Sequence, residues 1–323
     1  MSDMQYTYAV ARIRALETAL FSATTIEQLI ACQNEEQGVQ FLIDKGWGEH
    51  DTPVNADAIL TREQEKIWEI IQELSEDMSV FDVLSYPKLF HNLKAAVKEV
   101  CTESDSIHVF YEDCAIPGKE MFSIIQKREF SRLPSYMTEA AAEAYETLLH
   151  TRDGQLCDII IDKAALEAIY AAGQNSDEDI IRQYAESTVA VADIKIAVRS
   201  QKTAKSRDFM KRAMVSCESL NVDLLIKAAV AGQDAIQEYL SGTVYAKGGT
   251  ALADSPSAFE RWCDNRIIHT IRPQKHNPFS VGPLFAYILA RENEIKTVRI
   301  VLSGKQNDLP DDSIRERVRD MYV

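Results

Sequence analysis

Two residues that punctuate irregular structure are scarce in this chain, which has 12 glycines and 9 prolines in 323 residues, against usual shares of roughly 7% and 5%. With Ala, Glu, Leu, Ile, Lys and Arg abundant, the composition favours helix over sheet. Cysteine is sparse and dispersed. Cys32, Cys101, Cys114, Cys157, Cys217 and Cys263 form no CxxC pair and no metal-like cluster, so they read as reduced small hydrophobes of a cytosolic chain. Long apolar runs are missing too: the longest nearly apolar stretch, "VGPLFAYILA", is half of the roughly 20 residues that a membrane helix requires. The opening "MSDMQYTYAVARIRALE" has no apolar core of signal-peptide type. The expectation is a chain neither exported nor membrane-spanning. Positive charge is also in deficit, with 35 Lys and Arg against 50 Asp and Glu and a net charge of -15. That balance argues against duplex nucleic acid or an anionic lipid surface as main partner and suits a basic protein partner.

Catalytic motifs are absent as well. A phosphate loop needs a glycine, four residues and then Gly-Lys-Ser/Thr, and both "IPGKEM" and "LSGKQN" lack the upstream glycine and the hydroxyl. "AKGGTA" at 246–251 has adjacent glycines without a strand-glycine-helix setting, and reads as a surface turn. His50, His91, His108, His150, His269 and His276 form no HExxH, and none follows a Glu at the three-residue spacing of di-iron bundles. No Ser or Cys has a local nucleophile motif. We therefore expect no catalytic residue, no cofactor, no metal and no small-molecule substrate.

What is present is helical periodicity almost throughout. Apolar spacing predicts helices over 4–21, 25–46 with a break, 62–76, 79–102, 117–130, 135–172 with a break, 176–200, 206–217, 220–241 with a break, 255–271, 281–303 and 310–320. Only "SIHVFY" reads as a strand. Turns fall at "GWGEHDTPVN", "EDCAIPGK", "AAGQNSDED", "YAKGGTALADSP" and "RPQKHNPF".

A spaced recurrence organises these helices. "NLKAAV" begins at Asn92, "DIKIAV" at Asp193 and "EIKTVR" at Glu294, each 101 residues after the one before. Each copy ends a long helix, and each is followed by a short second helix with start signals: "PGKEMFSII" at Pro117, "SRDFMKRAM" at Ser206 and "PDDSIRERV" at Pro310. Pro or Ser followed by an acidic first turn suits the free N–H groups and dipole of a helix start. A second echo links "IEQLIACQNEEQGVQFLIDKGW" with "NVDLLIKAAVAGQDAIQEYLSGTVY". A period of 101 is too long for solenoid repeats of 33 to 47 residues. The expected fold is all-α, with three similar helical bundles over 1–116, 117–218 and 219–323.

Within each copy, Asn92 and Lys94, Asp193 and Lys195, and Glu294 and Lys296 stand two apart and point to different faces, so they do not pair with each other. One of each two is free to reach a neighbouring repeat or a partner. Glu292 and Lys296 have the favourable i,i+4 order, worth about 0.2–0.5 kcal/mol. Ungapped alignment places Arg299 where the other copies have Val97 and Val198, on the line Ile295, Arg299, Leu302. A cation on an apolar seam must be paired or must snorkel outward. We expect an ion pair within or between repeats, with a partner contact and simple exposure as alternatives. A one-residue gap would align it with Arg199 instead.

The opening "YTYAVARIRALETALFS", "NLK" in the first copy, and the closing "NEIKTVRIVLSGK" and "LPDDSIRERV" together resemble the C subunit of the prokaryotic V-type (A-type) ATPase or ATP synthase, whose eukaryotic counterpart is the d subunit. The most specific match lies at Glu294, Ile295, Arg299, Gly304 and Lys305, and the second copy carries Asp193 where that family more often has Asn. The resemblance covers essentially the whole chain. It implies an all-helical funnel of three domains about a pseudo-threefold axis, set between the central-stalk subunits and the membrane rotor ring. It further implies a cytoplasmic, peripheral rotor component without catalytic site or cofactor, in a machine that links ATP to proton or sodium transport. The competing readings are a helical scaffold for other partners and a helical enzyme using carboxylates in a bundle interior.

Overall fold

A computed structural model of the chain describes residues 6–102 and 110–323. Among these residues there are sixteen α-helices and no strand. In chain order they are α1 (Thr7–Glu17), α2 (Ala23–Ile30), α3 (Glu35–Asp44), α4 (Ala56–Leu74), α5 (Asp82–Thr102), α6 (Gly118–Gln126), α7 (Ser135–Thr151) and α8 (Gly154–Gln174). There follow α9 (Asp179–Lys202), α10 (Arg207–Ala213), α11 (Val222–Ala231), α12 (Gln233–Ser241), α13 (Ala246–Asp254), α14 (Pro256–Ile271), α15 (Gly282–Gln306) and α16 (Asp311–Arg315). The all-α expectation is met. The strand-like run at 106–111 lies, for its first four residues, outside the described residues.

Helix starts sit where short polar side chains can serve free amides. Ser22, Asn34, Asn55, Asp153, Ser206, Asn221 and Ser255 each accept the N–H of the third residue onward, the usual N-cap bond. Pro117 and Pro310 stand at the caps of α6 and α16, with Glu120 and with Asp311 and Asp312 in their first turns.

Packing divides the chain into two compact bodies, Met1–Met78 with Glu178–Ile180 and Lys247–Val323, and Ser79–Asp177 with Ile181–Ala246. The first is built on α15, which touches α1, α2, α3, α4, α14 and α16. The run Gly282–Ala290 is buried on every side, so its continuous apolarity is that of a core helix surrounded by others. Beyond it, the seam continues through Ile295, Val298 and Leu302, all buried. In the second body α5 touches α6, α7 and α8, α8 touches α7 and α10, and α11 touches α10 and α12. Its core gathers Leu93, Val97, Met121, Ile125, Met137 and Leu148.

Three sequence expectations are corrected. The glycine pair at 246–251 is no surface turn: it lies in α13, and Gly248 and Gly249 are buried. A Cβ at Gly248 would stand 2.6 Å from the Trp262 ring, so the glycine admits the indole to the helix backbone, a packing gain that outweighs its poor helix propensity. The helix expected over 206–217 stops at Ala213, because the amides that follow bond to side chains of α9. The helix expected over 310–320 stops at Arg315, and side chains of α14 and α15 take over the backbone beyond it. Asp320 N–H donates to Asn265 Oδ1 at 2.8 Å, and Asn293 Nδ2 donates to Asp320 O at 2.9 Å. Arg319 meets Asp264 at 2.7 Å.

Candidate functional site

The recurring hexapeptides fall on three long helices, α5, α9 and α15. Asn92, Asp193 and Glu294 are 0%, 0% and 1% exposed. A polar side chain so deep must be matched by hydrogen bonds, and each of the three meets the backbone of an irregular segment. Asn92 exchanges bonds with Tyr111, accepting its N–H at 2.8 Å and donating to its carbonyl at 2.7 Å. It donates also to Ile116 O at 3.3 Å. Asp193 Oδ1 accepts the N–H of Val215 at 3.1 Å. Glu294 Oε1 accepts the N–H of Phe21. One position in a repeated motif thus serves as a backbone anchor three times, with a different side chain each time. The reason is general: an amide N–H removed from water needs an acceptor.

The lysines two residues on point elsewhere. Lys94 pairs with Asp162 on α8, and Lys296 pairs with Asp264 on α14 at 2.7 Å. Burial pushes Asp264 up, yet Lys296 and Arg319 together hold it below the ordinary carboxylate value. Lys195 is half-buried on α9. Lys305 donates to Asp311 at 2.7 Å, joining the end of α15 to the start of α16. There Gly304 lets the two helices close, since a Cβ would stand 2.7 Å from Ile314.

Arg299 is not on the apolar seam. The buried line steps from Ile295 to Val298 and Leu302, which leaves the Arg299 side chain 54% exposed on the outer face, paired with Asp57 at 2.9 Å. The cation that does stand in the seam is Arg291. It follows Leu284 and Ile288 at helical spacing, is buried, and bridges Glu63 on α4 to Glu294 on its own helix. Its guanidinium lies 5.0 Å from the Trp47 ring centre, and Trp47 stacks on Phe21 at 5.0 Å. Glu63 Oε1 in turn accepts Gly48 N–H and Lys66 Nζ, each at 2.8 Å. Two carboxylates, a guanidinium and an ammonium therefore balance in one buried network that ties α4, α15 and the segments around Phe21 and Gly48. Burial raises Glu294 above its ordinary value, and Arg291 and the Phe21 N–H oppose that rise. Sequence reasoning passed over Arg291 because it borders an apolar run; the signal was its place at i+3 from Ile288 and i-4 from Ile295, the same test applied to Arg299.

Chemically this arrangement fastens irregular segments to long helices of the same chain. No group of three or more His, Cys, Asp or Glu able to hold a metal occurs among the described residues. None of the described helices is long and apolar enough to cross a membrane.

Comparison with known proteins gives these anchors their context. The chain is 21% identical over 326 residues to the C subunit of the V-type sodium ATPase of Enterococcus hirae, covering 99% of both chains. It is 20% identical over 342 residues to the C subunit of the A-type ATP synthase of Methanocaldococcus jannaschii, covering 96% of this chain and 85% of that one. A third relative, the C subunit of the A-type ATP synthase of Halorubrum lacusprofundi, is 24% identical over 349 residues with 96% of each chain covered. The profile of the ATP synthase (C/AC39) subunit family matches residues 9–317, and the chain, anchored helices included, belongs to that family.

Proposed function

We propose that this chain is the socket through which the central stalk of a V-type or A-type rotary ATPase drives the membrane rotor ring. Its family makes it a non-catalytic component of that class of machine. The observation that carries the reading is the match over residues 9–317, joined to full-length relatives named as C subunits. We also propose three consecutive helical repeats, 1–116, 117–218 and 219–323, whose helices pack across those bounds, as α1 to α4 do on α15. The chain lies on the cytoplasmic side, peripheral to the membrane through the ring, and serves ATP-linked proton or sodium transport.

Physical requirements for such a piece are stiffness and two interfaces, and no cofactor. Close-packed helices of low compressibility supply the first. The buried anchors at Asn92, Asp193 and Glu294 support it by fixing irregular segments to the long helices. The net charge of -15 favours fast docking to a basic stalk surface, with an affinity that falls as salt rises. Affinity purification of the chain from its own cells should bring down the other stalk and rotor-ring subunits. Recovery without them, from cells that contain the assembled complex, would overturn the proposal.

A further inference from the structure

Asp193 differs from the two other anchors in what surrounds it. Asn92 is neutral, and Glu294 has Arg291 in contact. Asp193 is fully buried, its Oδ1 accepts one N–H from Val215 at 3.1 Å, and its Oδ2 is buried with no partner at all. Two turns earlier on the same face of α9, Glu186 accepts the N–H groups of Glu218 at 3.2 Å and Ser219 at 2.8 Å, and the Ser219 hydroxyl as well. That hydroxyl also meets the Tyr245 hydroxyl at 2.7 Å. The irregular segment from Met214 to Leu220 is thus fastened to α9 by two carboxyl groups seven residues apart. Met214, Val215 and Leu220 of the segment are themselves buried.

We propose that Asp193 and the Met214–Leu220 segment form a proton-operated latch. The segment is closed on α9 while Asp193 carries a proton on Oδ2, and it opens when that proton passes to water and the carboxylate becomes hydrated. The geometry requires this, because an ionised carboxylate with one hydrogen bond and no cation in contact is strongly disfavoured in a buried site. The charged and titratable neighbours are Lys163 on α8, Glu186 on α9 and Cys217 within the segment. Lys163 acts from beyond contact and is itself beside Glu167 at 3.8 Å. Burial pushes the Asp193 carboxyl up to about 7; the Val215 N–H and Lys163 pull it down, and Glu186 adds to the rise. The Cys217 thiol, raised by burial and then by Glu186 and Asp193 to about 12, stays neutral throughout. Once the segment opens, the carboxyl regains a hydrated value of about 3.9. The closed form therefore binds the proton more tightly. Its advantage is complete below the hydrated value, is lost as pH rises, and is gone above about 7. The latch stands independently of the coupling role proposed above.

Amide hydrogen exchange of the full chain, followed on peptides covering 213–221 and corrected for intrinsic exchange rates, tests it. In the wild type the opening constant should rise about tenfold per pH unit from pH 5 to 7, about a hundredfold in all, and then level off. Asp193→Asn should abolish that slope, and Glu186→Gln should raise opening at every pH while leaving the slope in place. Parallel profiles for wild type and Asp193→Asn would overturn the latch. Should the Asp193→Asn chain not fold, carbon-13 NMR of the wild-type Asp193 carboxyl decides: a midpoint about 7 supports the latch, and one in the ordinary carboxylate range overturns it.

Discussion

The α15 body buries Glu294 beside Arg291, and Arg291 in turn beside Glu63, whereas the α9 helix of the other body buries Asp193 with a single backbone N–H. Both carboxyl groups occupy the same step of one recurring motif, 101 residues apart. The first is neutralised by ions and the second by a proton. An ion network holds its charge over a wide pH range and fails when one member is removed. A lone protonated carboxyl tolerates substitution by an isosteric amide and fails with rising pH. The same backbone task is therefore met by one anchor that is rigid and one that responds to pH.

Removing Arg291 breaks this comparison most severely. Arg291→Ala strands the buried Glu294 carboxylate and leaves Glu63 with Lys66 as its one cation, and the loss should be about 3–5 kcal/mol, seen as a lower denaturation midpoint with hydrogen-exchange protection lost in α4 and α15. Retained protection there would mean that water already screens the network. Next comes the neutral anchor. Asn92→Ala leaves the Tyr111 N–H without its acceptor and the Tyr111 and Ile116 carbonyls with the Cys114 thiol alone, for about 1–3 kcal/mol, whereas Asn92→Asp should import the Asp193 behaviour and make the second body less stable as pH rises. An Asn92→Asp chain with no pH slope would show that the surroundings, not the residue, set the response.

A smaller effect of opposite sign belongs to the segment after α16. Asp264 is held below its ordinary value by Lys296 and Arg319 against burial, so its contribution is present above the ordinary carboxylate value and lost as pH falls through the depressed one. Corrected for intrinsic exchange rates, the opening constant of amides around Asp320 should rise in acid, the reverse of those around Val215, and Lys296→Met should flatten that dependence. The smallest effect is expected for Arg299→Ala. Its pair with Asp57 is solvent-exposed, and such pairs contribute less than about 1 kcal/mol, so a thermal scan should barely move. A large drop would restore Arg299 to the core role read from its alignment.

Much of this molecule is legible in local patterns. Ser206, Pro117 and Pro310 mark helix starts through cap chemistry that needs only a few neighbouring residues, and the 101-residue recurrence singles out three helices whose polar position is buried each time. What could not be read is set by residues distant in sequence. Gly248 joins a helix because Trp262 packs on it. Met214 to Leu220 leaves its helix because Asp193 and Glu186 take its amides. Arg291 and Arg299 are cations eight residues apart on one helix; spacing puts Arg291 on the seam, but their partners Glu63 and Asp57 lie far off in sequence.

The coupling role is tested most directly on the assembled complex in sealed vesicles, with and without this chain. The account predicts that its omission leaves ATP hydrolysis by the catalytic head in place while ATP-driven ion uptake is abolished, and that adding the chain back restores uptake. Ion uptake undiminished in its absence would contradict the account.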